Sequence, residues 1–278
     1  MLALNLSLIA CLCWGLSQFL AGIKSRSLPV LTLLFYTSTA GFTVFIISTM
    51  IRGVPLPREP NLIFALLGGV ASIGGIYCLY RGLAVGAISI VVPVSALCAL
   101  VPVTFSLAQG EIPHIVQGLG IVAALFGGVL ISLQRKMGAE KRSSTRGIIP
   151  AMGAALGFGM FFVFMDVAGA VDPLWATTAS RLVSFLLVLC AILLNRPPLK
   201  INPIHLPVVI MIGTLDAAAA LAYTAATTKG MLGLVAVISS LYPVVPVVLA
   251  ALFLKERLRG FQLLGAILII LGIALIST

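Results

Sequence analysis

Five long apolar spans occur in this chain, and then occur again. Residues 117–132 (QGLGIVAALFGGVLIS) and 262–277 (QLLGAILIILGIALIS) run alike at a spacing of 145. Gln117 matches Gln262, Leu119 matches Leu264, Gly120 matches Gly265 and Gly127 matches Gly272; both copies close on Leu-Ile-Ser. Upstream, Glu111 matches Glu256 and Ser95 matches Ser240. An odd number of spans per copy forces the second copy to enter a membrane upside down. Inverted repeats of that kind build alternating-access carriers, whose substrate sites lie near mid-membrane at the repeat interface.

The spans must be membrane helices. Only 9% of residues are charged and 61% are hydrophobic, against about 25% charged in soluble domains. A spanning helix needs roughly 20 apolar residues. Ten stretches qualify: 3–22, 29–51, 61–80, 86–108, 115–134, 147–166, 174–194, 205–226, 231–254 and 260–277. The expected fold is therefore an all-α membrane protein. Its ten helices form two inverted five-helix repeats, residues 1–134 and 147–278, joined by a linker at 135–146. Lipid leaves no partner for exposed backbone groups, which favours helices; the alternation of an outer-membrane barrel is absent. The first span has no basic segment before it, so it reads as a helix and not as a signal peptide.

Charge sets the expected orientation. Loops 1–2, 3–4, 5–6, 7–8 and 9–10 hold thirteen of the seventeen basic residues, from Lys24 and Arg26 to Arg257 and Arg259. The opposite face holds Arg52, Arg58 and Lys229. The positive-inside rule puts the basic face in the cytoplasm and both termini outside. The protein is then expected in a bacterial cytoplasmic membrane. Equivalent loops also differ as inversion requires: Gln-Gly-Glu-Ile-Pro-His at 109–114 against Leu-Lys-Glu-Arg-Leu-Arg at 254–259. The net charge of +10 thus reports topology and implies no nucleic-acid partner. The five cysteines lie inside spans and read as small buried side chains. With two histidines in the chain, no metal-ligand spacing arises, and no cofactor is expected.

One run of residues resembles a known family. Ser239-Ser240-Leu241-Tyr242-Pro243-Val244, then Lys255-Glu256-Arg257-Leu258, then Gly265 and Gly272, is similar to the EamA-like branch of the drug/metabolite transporter superfamily. The first half carries a degraded version in Pro93-Val94-Ser95-Ala96-Leu97, Gln109-Gly110-Glu111, Gly120 and Gly127. Pro173 followed by Arg181 looks like the start of the second helix of such a unit, where the first half has Pro29 and Tyr36. The resemblance covers nearly the whole chain. It implies a ten-helix carrier of small metabolites, such as an amino acid or related organic solute, with a central cavity among helices 1, 3, 4, 6, 8 and 9. It implies no covalent chemistry and hence no catalytic residue. The substrate, membrane lipid and a coupling proton are the expected partners, in a monomer or homodimer. A lipid or lipid-linked sugar flippase is the alternative; a membrane enzyme would want clustered acids or histidines, and the acids here are scattered.

Interrupted helices in corresponding positions point to a carrier's site. Pro93 and Pro102 interrupt the fourth span, Pro243 and Pro246 the ninth. A proline within a helix frees a carbonyl and bends the chain. Ser95, Ser239 and Ser240 beside these breaks either line a cavity or re-satisfy the backbone locally. The third span is rich in glycine and the eighth in alanine, which suits close helix packing. Trp14, Tyr77 and Tyr223 are the aromatic candidates for a cavity wall; Tyr80, beside Arg81, looks interfacial. Two charges lie deep. Asp216 is eleven residues into its span, about 16 Å of rise, and Arg181 is seven in, about 10 Å. Each would cost about 2.5–3.5 kcal/mol at the bilayer centre. Either the two form a structural ion pair, or Asp216 takes a proton or substrate amine while Arg181 orients a carboxylate.

Overall fold

The computed structural model describes residues 1–25, 27–85, 91, 94–132, 147–253 and 260–277. Among these residues the chain is helical throughout, with no strand. The helices are α1 (Leu2–Lys24), α2 (Val30–Arg52), α3 (Ile63–Val85), α4 (Leu100–Ala108), α5 (Ile115–Ser132), α6 (Ile148–Gly169), α7 (Pro173–Asn195) and α8 (Leu206–Thr227). The ninth span is split into α9a (Leu232–Ser240) and α9b (Val244–Phe253), and α10 is Gly260–Ile276. Each of the ten predicted spans therefore carries helix. Six of them, those of α1–α3 and α6–α8, are long and apolar enough to cross a membrane; the others are shorter among the described residues.

The helix ends follow local chemistry. Gly53 ends α2 in the left-handed region at φ 68°, which glycine enters without steric penalty. Asp172 caps α7: its Oδ1 accepts from Trp175 N at 2.9 Å, and Pro173 fills the first helical position, where a missing N–H costs nothing.

The break in the ninth span is more abrupt than a kink. Pro243 lacks an N–H and its ring would clash with the carbonyl four residues back. Accordingly α9a stops at Ser240, residues 241–243 form a turn, and helix resumes at Val244. In the fourth span a short 3-10 turn, Ala96–Ala99, precedes α4. Pro102 and Pro246 then fall at the third position of α4 and α9b. First-turn N–H groups have no intrahelical partner, so neither proline breaks a hydrogen bond there. Pro93 lies outside the described residues.

Eight spans pack as a closed ring in the order α1, α8, α2, α7, α3, α6, α4, α9 and back to α1. Helices α5 and α10 pack on each other beside α4 and α9. Close approach at small residues holds these contacts. A Cβ on Gly157 of α6 would lie 2.7 Å from the Cα of Gly75 in α3, and one on Gly213 of α8 would lie 2.2 Å from the carbonyl oxygen of Thr37 in α2. The alanines of α8 serve the same end: Ala217, Ala219 and Ala220 are fully buried. Between α5 and α10 the close contacts pair Gly120 with Gly272 and Gly127 with Gly265. The early glycine of each helix meets the late glycine of the other, so the two run antiparallel.

At the end of the bundle carrying the α2–α3 and α6–α7 loops, Arg52 and Asp172 form an ion pair at 2.7 Å. Partial burial works against the Asp172 carboxylate, but hydrogen bonds from Arg52 and the Trp175 backbone outweigh it and hold its pKa below the usual value. A carboxyl depressed in the folded state contributes stability above its unfolded pKa and loses it as pH falls through the folded one. Arg52→Gln is expected to destabilise the detergent-purified protein slightly at neutral pH, in keeping with a partly exposed pair. Thermal melting should show that deficit shrink below the ordinary carboxylate range. In the core of the α5–α10 pair, Gly127→Leu should lower stability by about 1–3 kcal/mol or more through overpacking, because a Cβ there already meets Gly265 O at 2.7 Å.

Candidate functional site

A cavity of about 420 Å³ opens at the end of the bundle bearing the α1–α2 and α7–α8 loops and runs to mid-bundle. Its mouth is formed by Gly22 and Ser25 at the end of α1 and Val30 at the start of α2. Beside the mouth, Lys24 Nζ lies 3.1 Å from His205 Nδ1 and ties the end of α1 to the start of α8. Deeper, the wall is built by Ser17 and Gln18 of α1, Thr37 and Ser38 of α2, and Ser72, Ile73, Ile76 and Tyr80 of α3. Phe158, Phe161 and Phe162 of α6, Arg181 and Ser184 of α7, Asp216 of α8 and Tyr242 from the α9 break complete it.

An aromatic floor closes the inner end. The Trp14 ring lies 5.7 Å from Phe162, 6.0 Å from Tyr223, 6.2 Å from Phe161 and 6.3 Å from Tyr242. These separations suit tilted and edge-to-face aromatic packing. Beneath it, Met165, Leu232 and Val235 continue the same buried cluster. Further along, the Glu111 carboxylate accepts from Leu232 N at 3.1 Å and from the Ser106 hydroxyl. That residue clamps the end of α4 to the start of α9a, at the end of the bundle opposite the mouth.

The two deep charges meet on the cavity wall. Arg181 Nη1 donates to Asp216 Oδ2 at 2.5 Å. Their side chains differ in access: 10% of the arginine is exposed against 42% of the aspartate. Asp216 thus faces the lumen while Arg181 is set into the wall behind it. Around the arginine, hydrogen bonding is incomplete. Arg181 Nε and the hydroxyls of Ser180 and Ser184 are buried and have no hydrogen-bond partner among the described residues. Buried polar groups are generally paired, so three such atoms within one helical turn are unusual.

The other sequence candidates separate. Trp14 and Asp216 line the cavity, with Arg181 beside them. Tyr223 is fully buried in the floor, where its hydroxyl donates to Phe162 O at 3.0 Å. Tyr77 is 62% exposed and outside the lining, while Tyr80, read as interfacial, forms part of the wall. Ser95, Ser239 and Ser240 are buried beside the breaks but do not line the cavity. Ser240 donates to Val237 O one turn back, which is local re-satisfaction of backbone. Among the described residues no group of histidine, cysteine or acidic side chains could hold a metal ion, and all five cysteines are free.

Several lining residues escaped the sequence reading. Phe158, Phe161 and Phe162 recur at helical spacing and form one face of α6. Gln18 follows Trp14 by one turn on the same face of α1. Both patterns are visible in the sequence but look like ordinary packing there.

The model of the EamA-like transporter family matches residues 1–133 and again 145–278. The chain belongs to this family of membrane transporters, whose members generally move small solutes. It is an integral membrane protein. An uncharacterized protein of Methanocaldococcus jannaschii is 30% identical over 130 residues, covering 47% of this chain and 95% of the relative. A crystal structure shares the fold with a TM-score of 0.83 at 21% identity, covering 98% of this chain and 95% of that one.

Tyr223→Phe should lower thermal stability by about 1 kcal/mol, the ordinary worth of one hydrogen bond. Its hydroxyl does not reach the lumen, so ligand affinity should stay unchanged. A loss of affinity without loss of stability would put Tyr223 in the site and not in its floor.

Proposed function

We propose that the chain is an alternating-access carrier of a small organic solute, captured with its central cavity open to the cytoplasmic face. The observation that carries this reading is a cavity that reaches mid-bundle from one end and stops on an aromatic floor, with packed side chains beyond. A carrier needs such a one-sided path in each of its two states. The positive-inside rule assigns the open end, which bears the basic loops, to the cytoplasm, and so both termini to the outside.

Two five-helix units, residues 1–134 and 147–278, inverted about the membrane plane with 135–146 as linker, account for the packing. Exchanging each span of the first half with its mate in the second maps α1 onto α6, α2 onto α7, α3 onto α8 and α4 onto α9. The ring order α1, α8, α2, α7, α3, α6, α4, α9 is returned, read in the opposite sense. The antiparallel crossing of α5 and α10, Gly120 on Gly272 and Gly127 on Gly265, fits a two-fold axis lying in the membrane plane. The archaeal relative corresponds over nearly its whole length to about half of this chain, as a single unit would.

Transport then proceeds by rocking of the ring about the breaks beside Ser95 and Ser240. Asp216, open to the lumen and paired with Arg181, is the coupling group: protonation neutralises it and frees the guanidinium. In proteoliposomes, Asp216→Asn is expected to abolish uptake driven by a pH gradient while leaving expression and folding intact. Undiminished gradient-driven transport by that variant would exclude Asp216 as the proton carrier.

A further inference from the structure

The closed end of the bundle holds contacts whose equivalents at the open end are parted. In the ring helices the equivalence runs at a spacing of 144. Gly15 of α1 is seated against Val245 Cβ and Tyr242 O, and Gly159 of α6 against Val101 Cβ and Cys98 O; each residue lies 144 positions from its counterpart. Gly69 of α3 and Gly213 of α8, also 144 apart, meet Ser180 O on α7 and Thr37 O on α2 respectively. These contacts exist in both halves, so they do not distinguish the open end from the closed one.

One pair of helices breaks the correspondence. At and beyond the floor, α6 reaches across the ring to α8. Their counterparts α1 and α3 make no comparable contact, and the cavity lies between them. Two contacts hold the closed side. The Tyr223 and Phe162 rings lie 4.6 Å apart, and the tyrosine hydroxyl donates to Phe162 O at 3.0 Å. Further out, a Cβ on Gly169 would lie 2.3 Å from Thr224 Cγ2 and 3.6 Å from Thr224 Cβ. Shifted by 144, Tyr223 and Phe162 become Leu79 and Gln18, and Gly169 and Thr224 become Ser25 and Tyr80. All four of these equivalents line the open cavity. Ser25 Oγ is turned back onto Gly22 O at the end of α1. The inner pair is bulkier than glycine and threonine, so α1 and α3 meet through side chains where α6 and α8 meet through a bare backbone.

We propose that Gln18 and Ser25, at the inner end of α1, close on Leu79 and Tyr80 of α3 as the cytoplasmic gate, the inverted counterpart of the α6–α8 closure. The proposal rests on the inverted-repeat carrier reading and names where its open end shuts. The 3.6 Å between Cβ positions in the outer pair is the span of a disulfide, so closure can be trapped. The test puts Ser25→Cys with Tyr80→Cys in the full-length protein, oxidises it in detergent with copper phenanthroline, and counts free thiols with a polyethylene glycol maleimide. The wild-type protein, whose five cysteines are free, sets the background. Most of the protein should lose both added thiols, and reductant should restore them. Gln18→Cys with Leu79→Cys repeats the test one layer deeper, with the Tyr80 ring intact. Ser25→Cys with Ile73→Cys, two turns deeper on α3, should stay unlinked. Free thiols in both gate pairs, or equal linking of the control pair, overturns the gate. Hydrogen exchange separates the two readings. In the linked protein the outer ends of α6 and α8 should exchange severalfold faster, because closing one end opens the other. A link without that change leaves an inner gate and removes the alternation; faster outer exchange on linking supports both.

Discussion

Close approach of helix backbones is the constraint on which this structure depends. In a membrane, apolar side chains gain little by leaving lipid for protein, so association rests on packing at short range. The bundle meets that demand with glycine at its crossings: Gly213 against α2, Gly75 against Gly157, and Gly120 and Gly127 across the α5–α10 pair. The same economy operates at the ninth-span break. A Cβ on Gly15 of α1 would lie 2.3 Å from Val245 and 2.9 Å from the carbonyl oxygen of Tyr242. An interrupted helix is thereby seated against an uninterrupted one, and Tyr242 is delivered to the cavity beside Trp14.

Polar chemistry within this frame is concentrated. Most hydroxyls of the bundle satisfy a carbonyl one turn back, as Thr49, Thr177 and Thr224 do. The wall of α7 departs from that habit at Ser180, Arg181 and Ser184. Two deep charges are tolerated in a bilayer because they face each other across α7 and α8 and line the cavity instead of facing lipid.

Much of the fold was legible in the sequence because membrane helices announce themselves by composition and length. The span count, the ninth-span break and the duplication followed from apolar runs, proline positions and a repeat of spacing 145. The site was legible only in its charges and in Trp14. Arg181 and Asp216 stood out because a charge deep in a span has few explanations. The tyrosines did not sort, since Tyr77 and Tyr80 are three residues apart and share a helix face by spacing, yet only Tyr80 reaches the cavity. Where a ring of helices leaves a gap is decided by how the crossings at Gly213, Gly75 and Gly157 seat their neighbours, and that is a property of pairs of helices. Ser240 illustrates the same point: it answers its own helix through Val237 O, whatever its distance from the lumen.

The Glu111 carboxylate joins the fourth and ninth spans at one point. By holding Ser106 and the first amide of α9a together, it caps an N-terminus whose partial positive charge favours an anion. The far ends of α4 and α9a are therefore pinned like the blades of scissors. Any motion that parts them must first surrender hydrogen bonds to an ionisable oxygen and uncover that amide, so the resistance to opening at this end is chemical and local. At the opposite end, where the cavity opens, Lys24 of α1 and His205 at the start of α8 share one contact at the rim.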